Sequence, residues 1–278
     1  MPEITAHKGL LKTTKLHAED TGGSGRPVVL IHGWPLSGAS WSEQVPALTA
    51  AGYRVVTYDR RGFGQSDKPA TGYTYDHLAE DLHAVLEELE LRDVTLVGFS
   101  MGGGEVARYV ARYGEDRLHS VVFASAVPPY MLKTGDNPNG PLEKGTAAKM
   151  AASLTANQDE FYDGFTTDFF SADGELKVTE AQRQDALALT KQASKVAALQ
   201  CMTSFGATDF REDLPKVTVP TLVVHGDSDA TVPLEGSGQR THAAIAGSEL
   251  HVIAGGPHGV NVSHAEEFNA ALLAFLQR

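Results

Sequence analysis

Cysteine is almost absent from this chain. Cys201 is the sole thiol in 278 residues, which excludes an intramolecular disulfide and falls far short of the ligand set of a structural zinc site. A small buried apolar filler is the reading it leaves. Long hydrophobic runs are missing too. No window reaches the roughly 18 apolar residues that a membrane-crossing helix needs, and residues 1–10 have neither the basic start nor the apolar stretch of a secretory leader. A cytoplasmic protein without membrane association is expected. Positive charge is scarce: 23 Lys and Arg stand against 35 Asp and Glu, a formal net charge of −12. Such a surface repels nucleic acid and anionic lipid, so the expected partner is a small molecule.

What is present suffices for a core. Hydrophobic residues make up 42% and charged residues 21%, values of a globular rather than a disordered chain. At this length roughly 75% of the unfolded surface can be buried. Six short β-rich runs, at 28–32, 54–59, 94–99, 118–125, 221–227 and 249–254, alternate with helical patterns. Leu78, Leu82, Val85, Leu86 and Leu89 form one stripe at the helical period. Phe268, Leu272, Phe275 and Leu276 form another, and Ser263 with Glu266 reads as its capping box. Apolar strands separated by helices predict an α/β fold with a mostly parallel sheet covered on both faces. The more polar, alternating region 12–20 suits an antiparallel edge.

The alternation breaks between 127 and 214. After Pro128-Pro129 and a Gly-, Pro- and Asn-rich loop at 135–141, the pattern is helical or irregular and carries Phe161, Phe165, Phe169, Phe170, Phe205 and Phe210. Residues 1–126 and 215–278 are therefore expected to form the core and 127–214 an inserted helical cap. Packing is the first role of its phenylalanines, and some are available to line a pocket.

The stretch "GFSMG", 98–102, follows an apolar run and precedes a helical stripe of Val106, Val110 and Tyr113. A serine on a tight strand-to-helix turn is held in a strained conformation with its hydroxyl projecting from the sheet edge, where side chains two positions away would collide. Glycines stand at 98 and 102 accordingly, and the helix N-terminus favours an oxyanion beside the hydroxyl. A phosphate cradle fits poorly, because Ser100 stands where a dinucleotide fingerprint needs glycine and no Walker lysine follows.

Serine needs a base, and the base an orienting carboxylate. "VVHGDSDATVP" places Asp229 just past a strand, and "IAGGPHGV" places His258 past the next, both on the edge where open α/β sheets keep their sites. Asp227 is a rival acid, although at the strand end turn hydrogen bonding is its plainer role. His264 reads as a solvated helix-start residue, and His32 and His225 as structural histidines. A metal site from His225, Asp227 and Asp229 converges poorly on an alternating strand end. For an oxyanion, Met101 offers its backbone N–H, and Trp34 in "HGWP" offers a second, with Gly33 permitting close approach.

The stretches "HGWPLSGASW", "YDRRGFGQSD" and "GFSMGGGEVARY", with "HGDSDATVP" and "GGPHG", resemble the α/β-hydrolase family, and within it the bacterial arylesterases and cofactor-free haloperoxidases, also called perhydrolases. The resemblance implies Ser100, Asp229 and His258 as catalytic triad and Trp34 with Met101 as oxyanion hole. It also implies no metal, haem or other cofactor, and a homo-oligomer. Val127, Phe165, Phe169, Phe205 and Val232 are the implied acyl-pocket walls. Pro35, which restricts Trp34, is implied to turn the Trp34 carbonyl toward the cleft as an acceptor for a peroxide proton. Residues 59–66 read as a structural turn. The implied activity is acyl transfer from aryl or short-chain esters to water or hydrogen peroxide, a carboxylic acid and peroxide serving as a further substrate pair. A γ-lactam or lactone hydrolase and a receptor with vestigial turnover are the alternatives. Dehalogenase and epoxide hydrolase relatives use an aspartate nucleophile, and position 100 is serine.

Overall fold

The computed structural model describes residues 3–6 and 13–278. Its strands are β1 (Glu3–Ala6), β2 (Thr14–Asp20), β3 (Pro27–Ile31), β4 (Arg54–Tyr58), β5 (Val94–Phe99), β6 (Leu118–Ala124), β7 (Ser171–Ala172), β8 (Glu175–Leu176), β9 (Thr221–Gly226) and β10 (Glu249–Ile253). Eight of them form one sheet in the order β1-β2-β4-β3-β5-β6-β9-β10, while β7 and β8 pair as a separate short hairpin. From β4 to β10 every neighbour is parallel. Burial explains the apolar runs: every residue of β5 and β9 is buried, as a strand covered on both faces requires.

The region expected as an antiparallel edge is β2, antiparallel to β4, but it is not the edge. β1 pairs outside it in antiparallel register, a four-residue segment too short to show an alternation in sequence. Of the region 12–20, Lys12 lies outside the described residues, as does most of the 1–10 segment.

The helices are α1 (Gln44–Ala50), α2 (Tyr75–Glu88), α3 (Met101–Tyr113), α4 (Lys144–Ala156), α5 (Gln158–Phe169), α6 (Glu180–Thr190), α7 (Lys195–Ala207), α8 (Gly238–Ala244), α9 (Val260–Ser263) and α10 (Ala265–Leu276). α2 buries Leu78, Leu82, Val85 and Leu86, and α10 buries Phe268, Leu272, Phe275 and Leu276. The Ser263–Glu266 capping box does not form. Ser263 already belongs to α9, so its hydroxyl donates back to the Gly259 carbonyl at 3.1 Å, and His264 occupies the N-cap of α10 without a side-chain cap. A capping box does occur at Thr179 and Gln182, opening α6.

Helices α4 to α7 and the β7–β8 hairpin lie between β6 and β9 in the chain. They meet the body at Trp34, which follows β3: its indole donates to the Ala198 carbonyl of α7 at 3.1 Å. The same ring packs edge-on against Phe161, Phe165 and Phe205. Among the described residues no helix is long and apolar enough to cross a membrane.

Candidate active site

Ser100 joins β5 to α3 with φ 53° and ψ −116°, a conformation few non-glycine residues adopt. Its neighbours explain why the turn closes. A Cβ on Gly98 would stand 2.6 Å from the Gly102 carbonyl oxygen, and one on Gly102 2.5 Å from that of Ile31 in β3. Backbone atoms of a buried helix and of a sheet strand cannot give way, so both positions require glycine. The turn is pinned by the Ser100 N–H donating to Ala124 and by its carbonyl accepting from Gly103 and Val127.

Because β5, β9 and β10 run parallel, the residues following them emerge on one edge of the sheet. Ser100 Oγ lies 2.9 Å from His258 Nε2, and His258 Nδ1 lies 2.7 Å from Asp229 Oδ2. The carboxylate can only accept, so Nδ1 carries the proton and Nε2 accepts from the serine hydroxyl. The three are 6%, 1% and 4% exposed for Ser100, His258 and Asp229, which keeps this relay from competing with water. The imidazole is held between the rings of Phe99 and Phe169, with centroids 5.2 and 5.0 Å away.

Asp229 is fixed by its own loop. Its Oδ1 accepts from the N–H groups of Thr231 and Val232 at 2.9 and 2.7 Å. Burial alone pushes this carboxyl up. The facing charge of His258 and the hydrogen bonds from His225 and His258 outweigh that and hold it at about 2, so the group is ionised.

The rivals are placed elsewhere. Asp227 accepts from the Gly255 N–H at 2.7 Å and from Ser228, closing the turn after β10 without reaching His258. The arrangement of His225, Asp227 and Asp229 as a metal site is not assembled, since the two carboxylates serve different loops. His32 donates from Nδ1 to the Gly33 carbonyl and accepts the Arg60 N–H at Nε2. Burial, then the nearby Arg60 charge, lowers its pKa well below the usual histidine range, so it is neutral and structural. His264 starts a helix and bonds Ser263. The 59–66 segment is a hydrogen-bonded turn: the Asp59 carboxylate accepts from Gly38 and Gln65, and Ser66 donates to the Asp59 carbonyl. Cys201 is buried, and burial pushes its thiol up to about 12.

Beside Ser100, a Cβ on Gly33 would stand 2.7 Å from the Phe99 ring and 3.2 Å from Ser100 Cβ, so the Gly33–Trp34 loop passes directly against the serine turn. Met101 opens α3, where helix N–H groups have no intrahelical acceptor. Among the described residues neither the Met101 nor the Trp34 N–H has a backbone or side-chain acceptor.

A cavity of about 60 Å³ adjoins Ser100 and His258, and Trp34, Val127, Phe165, Phe205 and Val232 line it. Phe169 and Pro35 do not. Phe169 lies one helical turn beyond Phe165, and that rise carries it behind His258, where it packs against the imidazole and Phe99. Pro35 is absent from the lining although Trp34 beside it is present. The cavity is completed by Met131, Leu142, Met150 and Met202, which the phenylalanine spacing did not indicate. A signal for them existed: three of the chain's five methionines fall within 127–214, and unbranched thioethers suit an adaptable pocket wall. Outward, a wider cleft of about 1150 Å³ shares Met131, Leu142, Met150 and Phe165 with this cavity and carries Glu160, Asp168 and Asp173 along its lining.

A family profile described as the α/β-hydrolase fold matches residues 26–265. The chain is 44% identical over 259 residues to a non-heme chloroperoxidase of Kitasatospora aureofaciens, covering 92% of this chain and 94% of that protein. It is 38% identical to a bifunctional esterase/perhydrolase of Acinetobacter calcoaceticus, covering 93% and 95%. A crystal structure of a bromoperoxidase from Bacillus anthracis matches with TM-score 0.95 and 53% identity over the whole of both chains.

Proposed function

The chain belongs to the α/β-hydrolase family, in the branch that holds these non-heme haloperoxidases and the esterase/perhydrolase, and from that premise we propose that it is a serine acyl transferase acting on small carboxylic esters. Ser100 Oγ attacks the acyl carbon while His258 Nε2 takes its proton, and Asp229 stabilises the imidazolium that forms. The N–H groups of Trp34 and Met101 receive the developing oxyanion, each worth roughly 2.7–4 kcal/mol of barrier. Collapse expels the alcohol, which takes the proton back from His258 and leaves an acyl-Ser100. Water then releases a carboxylic acid. Hydrogen peroxide in its place releases a peracid, which oxidises halide in solution and is itself reduced to the acid.

The observation that carries this reading is the unbroken chain of hydrogen bonds from Ser100 through His258 to Asp229. The names of the relatives support the peroxide branch. Pro35 acts in this reading through the backbone, restricting Trp34 so that its carbonyl can accept a peroxide proton. Residues 127–214 act as a cap, whose methionines and phenylalanines bound the acyl group.

Two assays test it together: phenyl acetate hydrolysis, and peracetic acid formed from acetate and hydrogen peroxide. Both are expected for the native chain and lost in Ser100→Ala. Turnover in the native chain no greater than in that variant rejects the reading.

A further inference from the structure

His225, in β9, is fully buried and was read from sequence as a structural histidine. Its Nε2 lies 2.7 Å from the Val232 carbonyl oxygen and 3.3 Å from Asp229 Oδ2. Both partners accept, so Nε2 carries the proton and makes a short bond to Val232 with a longer branch to the carboxylate. Its other nitrogen, Nδ1, is buried without a partner. A Cβ on Gly238 would stand 2.6 Å from it, so a larger residue at 238 does not fit beside it.

That orphan nitrogen bears on the role. An unpaired buried acceptor carries a desolvation cost, which an apolar side chain of similar size would avoid. Simple packing therefore gives no reason for an imidazole here, whereas an N–H aimed at the 229–232 loop does. Val232 is gripped at both peptide groups, its carbonyl by His225 and its N–H by Asp229 Oδ1. Its side chain stands on the wall of the cavity beside Ser100. Asp229 in turn meets four donors, the N–H groups of Thr231 and Val232 at Oδ1 and the two imidazoles at Oδ2. An ionised carboxylate has about four lone-pair sites, so its rotation is blocked.

We propose that His225 is a positioning residue for acyl transfer: its Nε2–H clamps the 229–232 loop, so that Asp229 keeps Oδ2 on His258 and Val232 stays on the acyl wall. This inference rests on the acyl-transfer reading. Asp229 orients the general base, so a loosened clamp acts on kcat before it acts on KM.

The test varies reach with the chemistry held constant. His225→Gln places an amide N–H near the position of Nε2, and His225→Asn carries the same amide but is too short to reach Val232. Phenyl acetate kinetics, the thermal midpoint and the low-field proton resonance of His258 Nδ1 are read for the native chain and both variants. His225→Gln should retain kcat and the resonance. His225→Asn should lose about tenfold or more in kcat, as expected for about 1.4 kcal/mol of barrier, with a smaller change in KM and a shifted or broadened resonance. His225→Leu, with no donor, must behave like the Asn variant, and it replaces that variant should the latter not fold. Equal kcat and equal resonances in folded donor-bearing and donor-lacking variants overturn the proposal. A native chain no more active than Ser100→Ala would instead reject the acyl-transfer reading, and the His258 resonance reports the clamp without any turnover.

Discussion

Phe165 and Phe169 show at the residue scale how one helical turn separates two roles. Four positions apart on α5, they share a helix face, so periodicity treats them alike. The rise of that turn leaves Phe165 on the cavity wall and puts Phe169 behind the imidazole. Their substitutions should therefore diverge. Truncating a wall residue, as in Phe205→Ala, should shift preference among phenyl esters toward longer acyl chains, each added methylene changing kcat/KM by up to about 1–3 kcal/mol. Phe169→Ala should lower kcat for every ester with little change in that preference, because it frees the ring of His258. A panel of acyl lengths measured on both variants decides it, and a widened acyl range in Phe169→Ala would return that residue to the wall. The serine turn was legible for the opposite reason. Gly98 and Ser100 meet a steric condition set within five residues, and Gly102 one set by the strand beside β5, whereas which phenylalanine faces the pocket depends on how α5 sits over the sheet.

At the scale of elements, the strands could be read closely because a parallel strand buried on both faces leaves a continuous apolar run. What could not be read is how the elements are tied together. Arg60, just past β4, and Glu105 on α3 are both buried and form an ion pair. Tyr58 donates to the second Glu105 oxygen at 2.7 Å, and Arg60 also donates to the His32 carbonyl at 2.6 Å. The network thus links the helix that begins after Ser100 to the strand that leads to Trp34. In sequence these residues look like ordinary surface charges, and only the order β4-β3-β5 brings them together. Glu105→Ala leaves the Arg60 charge buried and uncompensated, a change that costs about 3–5 kcal/mol. Urea unfolding should register that loss. A variant within 1 kcal/mol of the native chain, roughly the value of an exposed pair, would show that water reaches Arg60.

For the whole molecule, the same buried polar groups set its response to alkali. Burial pushes Tyr58 and Tyr75 well above the usual tyrosine value and Tyr73, Tyr109 and Tyr162 to about 12, and it moves Cys201 from 9.0 to about 12. In an unfolded chain these groups ionise near 9 to 10, so above that range the unfolded state holds fewer protons than the folded one. Stability is then complete below about pH 9 and falls as pH rises toward 12, because the slope with pH follows the difference in bound protons. The acidic side works in reverse for Asp229, whose lowered pKa contributes stability above 3.8 that is lost as pH falls toward about 2. Two of the tyrosines bear directly on the site: Tyr75 donates to the Met101 carbonyl and Tyr58 to Glu105, so both hold α3 against its neighbours. Alkaline titration should consequently release the tyrosinate absorbance of these five phenols in one cooperative step, together with the loss of helical circular dichroism and of ester turnover. Absorbance from all five of them rising gradually from pH 10, with helix and activity intact, would mean that these phenols are open to solvent in the folded chain and that α3 is held by its apolar face alone.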